Sequence, residues 1–283
     1  MRDQPQLTDR QQLSRQRARA LARPDGAWFL HELAISEVHE RLIDVNRTFT
    51  SPALVTGFAP IWAPAFPGAK VVNDVDILDL APGGHDLVIH AIGLHWANDP
   101  VGQLVQCRRA LAPDGLLIAV AFGGQTLHEL RSSLAEAETA ETGGLSPRVA
   151  PMAELRDLGG LIGRAGLALP VADNITQTAS YRDILHLMQD LRAMGETNAL
   201  LSRHKMTPRR GLFARAAHIY AQIFPAPNGR ITATFELVFL TGWAPSADQP
   251  KPLRPGSATT RLADALGTTE LNPNGHASRG HER

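Results

Sequence analysis

Apolar and polar residues along this chain alternate in blocks that predict strands and helices in turn. Asp86–Ile92 is a continuous apolar run, the pattern of a strand buried on both faces. Asn98-Asp99-Pro100 predicts a helix start, with Asp99 as cap and Pro100 at the first helical position. Val101, Leu104, Val105 and Leu111 then mark one apolar face. Pro113-Asp114-Gly115 predicts a turn in which glycine supplies the positive φ, and Leu116–Phe122 predicts the next buried strand. Thr126 and Glu129 have capping-box spacing ahead of a helix that carries Arg131 and runs to about Glu141. Strand, helix and strand make a βαβ unit. In such sheets ligands lie beyond the carboxyl ends of the strands, here Gly93-Leu94-His95-Trp96 and Gly123-Gly124-Gln125.

The flanks follow the same logic. Residues 11–45 read as helical, with Leu30, Leu33, Ala34, Val38 and Leu42 on one side and His31 and His39 at the surface. Pro52–Gly57 and Ala69–Val75 predict strands, and Ile77–Leu80 a third or a continuation. Pro151 opens a helix that Gly166 stops, and Ala168–Ile175 is a strand. Ser180–Asp183 caps a helix to Met194, whose apolar stripe is core, and Thr207-Pro208 starts another to about Phe224. Thr232–Trp243 is the last strand, with Phe235, Leu237 and Phe239 on one face and Glu236, Val238 and Leu240 on the other. The organisation expected is an N-terminal helical cap (1–50), an α/β domain (51–243) with a helical insertion near 180–224, and a mostly disordered tail (244–283) apart from Arg261–Leu266.

Composition narrows the options. Lys+Arg 28 against Asp+Glu 28 gives no net charge, so bulk electrostatics favour neither nucleic acid nor an anionic membrane. No apolar run approaches the roughly 20 residues of a membrane span. Cys107 is the one cysteine, which excludes an internal disulfide and a thiolate-rich metal site; a reducing, cytoplasmic setting follows. None of the 11 histidines is followed two places later by Asp or Glu, and HExxH is absent, so no metal site is expected. The arginines within residues 1–23 read as a solvated basic helix.

HDLV at 85–88, GLHWANDP at 93–100, RRALAPDGLLIA at 108–119 and FGGQTLHELR at 122–131 resemble the class I methyltransferase superfamily. With GGLSPRVAP at 143–151, DLGGLIGRAGL at 157–167 and LMQDLRAMGETNAL at 187–200, they resemble more narrowly the methyltransferase-like assembly factors of respiratory complex I, relatives of the malonyl-carrier-protein methyltransferases. The resemblance covers most of residues 15–243. It implies a Rossmann-like, seven-stranded sheet with an antiparallel last strand. It also implies S-adenosylmethionine over the first, second and fourth strands, and, for the mitochondrial member, hydroxylation of an arginine in an iron–sulfur subunit of complex I. A bacterial member would work in the cytoplasm, at the inner face of the membrane through that partner.

The chain departs from this pattern early. The glycine-rich turn that lets a backbone approach the cofactor is reduced to Gly57, followed by Pro60, Trp62 and Pro64. Too few residues separate Ala53 from Asp86 for three strands with their helices, since one βαβ unit takes about 30. At least one helix, with or without a strand, is therefore missing from the first half of the sheet. Cofactor-binding candidates are Gly57, Asp74 (or Asp76) as the ribose acid, Gly93 and His95. Asp74 reads equally as a turn residue, and Trp96 as a ligand wall or as packing. Gly124 permits close approach of a ligand or a tight turn. Substrate or partner candidates are Trp96, Gly124, Arg131 and, from the insertion, Arg192, Glu196 and Asn198. Glu129 is expected to be a cap partner, and no catalytic residue is assigned. Three readings remain open here: an assembly factor with a degenerate cofactor site, a working methyltransferase of a small molecule or carrier protein, and a non-catalytic partner of an intact paralogue.

Overall fold

The computed structural model describes residues 6–249 and Thr268. Its elements in Met1–Ser246 are α1 (Arg10–Leu21), α2 (Phe29–Val45), β1 (Pro52–Thr56), α3 (Ala59–Trp62), β2 (Lys70–Val72), β3 (His85–Ala91), α4 (Pro100–Ala110), β4 (Leu111–Phe122), α5 (His128–Thr142), α6 (Leu155–Arg164), β5 (Ala168–Tyr181), α7 (Ile184–Ala193), α8 (Arg210–Ile223), β6 (Pro225–Ala226) and β7 (Arg230–Trp243). The tail is a separate unit from Ala247, and its segment Arg261–Leu266 lies outside the described residues.

The sheet order is β2-β1-β3-β4-β7-β5, with two-residue β6 beside β7. Pairs among β2, β1, β3 and β4 are parallel, and β7 runs antiparallel to both β4 and β5. This is the α/β, Rossmann-like sheet with an antiparallel last strand that the resemblance implied. The first half is short, as expected. Only α3 and a 3-10 turn join β1 to β2, and residues 73–84 join β2 to β3 without a helix.

Alternation along the strands builds two cores. Leu87, Ile89, Ile118, Val120, Phe235, Leu237 and Phe239 face α2, α5, α7 and α8. Val88, Leu117, Ala119, Val238 and Leu240 face α4 and α6. The faces assigned to β7 from its alternation are those observed.

Several local expectations are corrected. Residues 11–45 form two helices, because Pro24-Asp25-Gly26 interrupts them. Ile77–Leu80 is not a strand: Gln106 Oε1 accepts from the Leu78 amide and anchors this stretch as a loop on α4. The positive φ in the 113–115 turn falls on Asp114 (+61°), a residue type that tolerates it, and not on Gly115. The helix expected from Pro151 starts at Leu155. Thr126 and Glu129 make no capping box. Thr126 Oγ1 instead takes the Glu236 amide and donates to its carbonyl, while Glu129 receives the Thr234 amide and hydroxyl, so both tie the loop to β7. Asp99 and Asp183 do cap α4 and α7, accepting from Gly102 and His186 amides at 2.8 Å.

Candidate functional site

The carboxyl ends of β1 and β3 deliver Thr56-Gly57-Phe58 and Ala91-Ile92-Gly93 side by side, since Thr56 pairs with Ala91. Ile92 sits at φ +43°, a region a β-branched residue rarely takes. Here the structure brings together Gly57, Asp74 and Gly93, three of the four cofactor candidates, and adds a residue that sequence reasoning placed in solvent.

That residue is Arg17. Its Nη1 lies 2.8 Å from both carboxylate oxygens of Asp74, and both side chains are 6% exposed. Its guanidinium stands over the Phe58 ring, 5.1 Å from the centroid. Arg10 also pairs with Asp74, at 3.5 Å, and donates to its backbone carbonyl. An added Cβ at Gly57 would lie 2.1 Å from Arg17 Nη1, and one at Gly93 2.5 Å from Asp74 Oδ2. Both glycines are therefore covered by the chain's own side chains. An adenosyl group does not fit against them in this arrangement: the carboxylate that would take ribose hydroxyls is engaged, and the backbone it would lie on is masked.

Leu13, Gln16, Arg17 and Ala20 form the buried face of α1, so the basic run is not simply a solvated face. Their i, i+3, i+4, i+7 spacing was the available signal, and the density of charge hid it. His31 is likewise buried, not at the surface: its Nδ1 accepts from Trp62 Nε1 at 2.9 Å, and burial pushes its pKa down to about 4. His39 is exposed and stacks on Phe66. His90, on β3, is also buried, lowered by desolvation, and bonded to Gln103. Burial raises the Cys107 thiol to about 12, which makes it an inert core residue.

The fourth cofactor candidate, His95, turns the other way. Glu196 Oε2 accepts from Trp96 Nε1 at 2.7 Å and lies 3.2 Å from His95 Nε2. Desolvation raises the Glu196 pKa, but the His95 bond, the His95 and Arg17 charges and the Trp96 bond outweigh it, so the net shift is downward and the carboxylate stays ionised. This trio pins the GLHW turn to the segment after α7.

Beside it opens a cavity of about 650 Å³, within the usual range for small-ligand sites. Of the partner candidates, Trp96, Arg192, Glu196 and Asn198 line it. Gly124 and Arg131 do not. Arg131 donates to the carbonyls of Gly124 (3.4 Å) and Thr126 (3.1 Å), so it braces its own loop. Gly124 has the Glu154 carboxylate where its Cβ would stand, 2.3 Å away. Asn198 also braces a loop, donating to the Pro147 and Arg148 carbonyls. Among the described residues no group of three His, Cys, Asp or Glu could hold a metal, and no helix is long and apolar enough to cross a membrane.

No family model matches the chain. Curated relatives do. The arginine-hydroxylase NDUFAF5 of Danio rerio is 37% identical over 198 residues, covering 70% of this chain and 61% of that protein. The Homo sapiens protein of the same name is 36% identical over 213 residues, 75% and 61% of the two chains. This chain is homologous to the arginine-hydroxylases named NDUFAF5. It spans about three fifths of the length of these relatives. The malonyl-[acyl-carrier protein] O-methyltransferase of Xylella fastidiosa is 32% identical over 182 residues, 64% of this chain and 59% of that one. Among solved structures, phosphoethanolamine N-methyltransferase 2 of Haemonchus contortus aligns at 12% identity and TM-score 0.38, over 71% of this chain and 50% of that one, a likeness too loose to support more.

Proposed function

We propose that this chain is an assembly factor of respiratory complex I, the NADH-quinone oxidoreductase, that binds its iron–sulfur subunit in connection with arginine hydroxylation. It does so with a degenerate cofactor site, at the cytoplasmic face of the membrane. The similarity to NDUFAF5 over 213 residues supports the pathway. One observation carries the mode of action: the Arg17–Asp74 pair covers Gly57 and Gly93, where S-adenosylmethionine would need to lie. Binding of a protein partner needs no such space. The exposed Arg192 at the cavity mouth belongs to the contact surface in this reading, while Glu196 and Trp96 hold its wall rigid.

The test is co-purification of the subunit with the tagged chain, with mass spectrometry of the subunit's arginines in cells with and without the gene. Loss of the modification or of assembled complex I in the deletion is expected. Normal complex I with unchanged arginines overturns the reading. Calorimetry with S-adenosylmethionine addresses the methyltransferase alternative: no heat is expected, and micromolar binding favours catalysis.

A further inference from the structure

The 650 Å³ cavity is built from two chemically distinct parts. Its apolar lining includes Phe122 from the end of β4, Phe235 from within β7, and Leu134, Met188 and Phe213 from α5, α7 and α8. Five arginines line it, against the single carboxylate of Glu196, which His95 and Trp96 already engage. Three of the five have acidic partners: Arg23 with Asp25 at 2.7 Å, Arg148 with Glu138 at 2.6 Å and Arg203 with Asp9 at 2.9 Å. Arg19 and Arg192 have none among the described residues, and both are exposed. They come from different helices, α1 and α7.

We infer that this cavity is a binding site for a small amphipathic carboxylate of the fatty-acid class. The apolar body fills the cavity, and the carboxylate sits at the mouth between Arg19 and Arg192. Apolar burial supplies the affinity. The two unpaired guanidinium groups fix the polarity of entry, since each offers a planar fork that matches a carboxylate. The reverse orientation would carry an anion towards the ionised Glu196. A guanidinium or ammonium ligand is disfavoured by the excess of arginines. The inference shares Arg192 with the contact surface of the proposed role in complex I assembly but does not depend on that role, because it needs only the cavity and its charges.

The test uses the full chain and dodecanoate, below its micelle concentration, in isothermal titration, with dodecanol as the uncharged control. One-to-one binding of dodecanoate, at least about tenfold tighter than dodecanol, is expected. The double variant Arg19→Ala/Arg192→Ala is expected to lose about that tenfold, and Arg19→Lys/Arg192→Lys to recover part of it. Neither arginine has a hydrogen-bond or ion-pair partner to lose among the described residues, so both variants should melt like the parent; a melting curve checks this. Met188→Trp, which narrows the cavity, should weaken both ligands. Equal binding of dodecanol and dodecanoate, an unaffected alanine pair, or no binding by either ligand overturns the assignment. So does displacement of bound dodecanoate by an acidic peptide with higher affinity, which would make the cavity a protein-docking site.

Discussion

Arg17 and Asp74 are 57 positions apart, and one nitrogen of the arginine bridges both oxygens of the aspartate at 2.8 Å inside the protein. The pair is also imperfect. Arg17 Nε and Nη2 are buried with no hydrogen-bond partner among the described residues, so the guanidinium uses only part of its fork there. Breaking a buried pair from one side leaves a bare charge, at a cost of about 3–5 kcal/mol. Arg17→Ala should therefore lower the unfolding free energy by several kcal/mol, with Arg10 offsetting a little. Arg17→Met with Asp74→Leu should cost less than either single change. Urea denaturation of the four proteins measures this. Additive losses in the double variant would show that the two residues are not coupled.

Gly57 and Gly93 are under that pair, and neither has a positive φ, so their need for glycine is purely spatial. Gly57→Ala should push Arg17 off Asp74 and destabilise by about 1–3 kcal/mol, the usual cost of overpacking. In an Arg17→Ala background the same substitution should be nearly neutral. An equal cost in both backgrounds would locate the clash elsewhere.

His31 gives the protein an acid-sensitive step. Its folded pKa is about 4, below the ordinary imidazole value of 6.5, so the unfolded chain takes up a proton that the folded one refuses. Stability is constant above about pH 6.5 and falls as pH drops from 6.5 towards 4, by about 3 kcal/mol from this group. His90 acts in the same sense. His31→Gln keeps an acceptor for Trp62 and removes the proton. Denaturation midpoints at pH 7, 6 and 5 should fall less steeply in that variant; identical slopes would exclude His31 as the titrating group.

Glu196 is the acceptor for Trp96 Nε1 at 2.7 Å, and that indole bonds no other acceptor among the described residues. Glu196→Ala should cost about 2–3 kcal/mol, through an orphaned buried donor and the lost bond to His95. Glu196→Gln retains an amide oxygen and should cost less. Thermal melts of the two variants separate the hydrogen bond from the charge. A glutamine variant as unstable as the alanine one would show that charge dominates.

Strand alternation and helix periods made most of the sheet legible: β3, β4 and β7, and the two faces of β7, follow from residue pattern alone. Asp99-Pro100 announced α4 because the cap is local. Thr126 and Glu129 misled for the opposite reason. Their spacing fits a local motif, but the partners are Glu236 and Thr234, more than a hundred positions away. The site divides along the same line. Gly57, Asp74 and Gly93 were found because they lie at strand ends or just beyond. Arg17 was missed because its partner comes from a segment it meets only in the folded chain, and His31 because a charged-looking helix face turned inward onto Trp62.

The way α1 is moored sets an order on synthesis. Its anchors are Asp74, Asn98 and the stretch from Asn198 to Arg203, with Thr8 bridging to Leu200. The last of these leaves the ribosome long after the helix itself. Until then the growing chain holds a bare aspartate beside two uncovered glycines. A segment made before its partners is thus among the last to find its place, and a nascent chain offers its partners a different face from the finished protein.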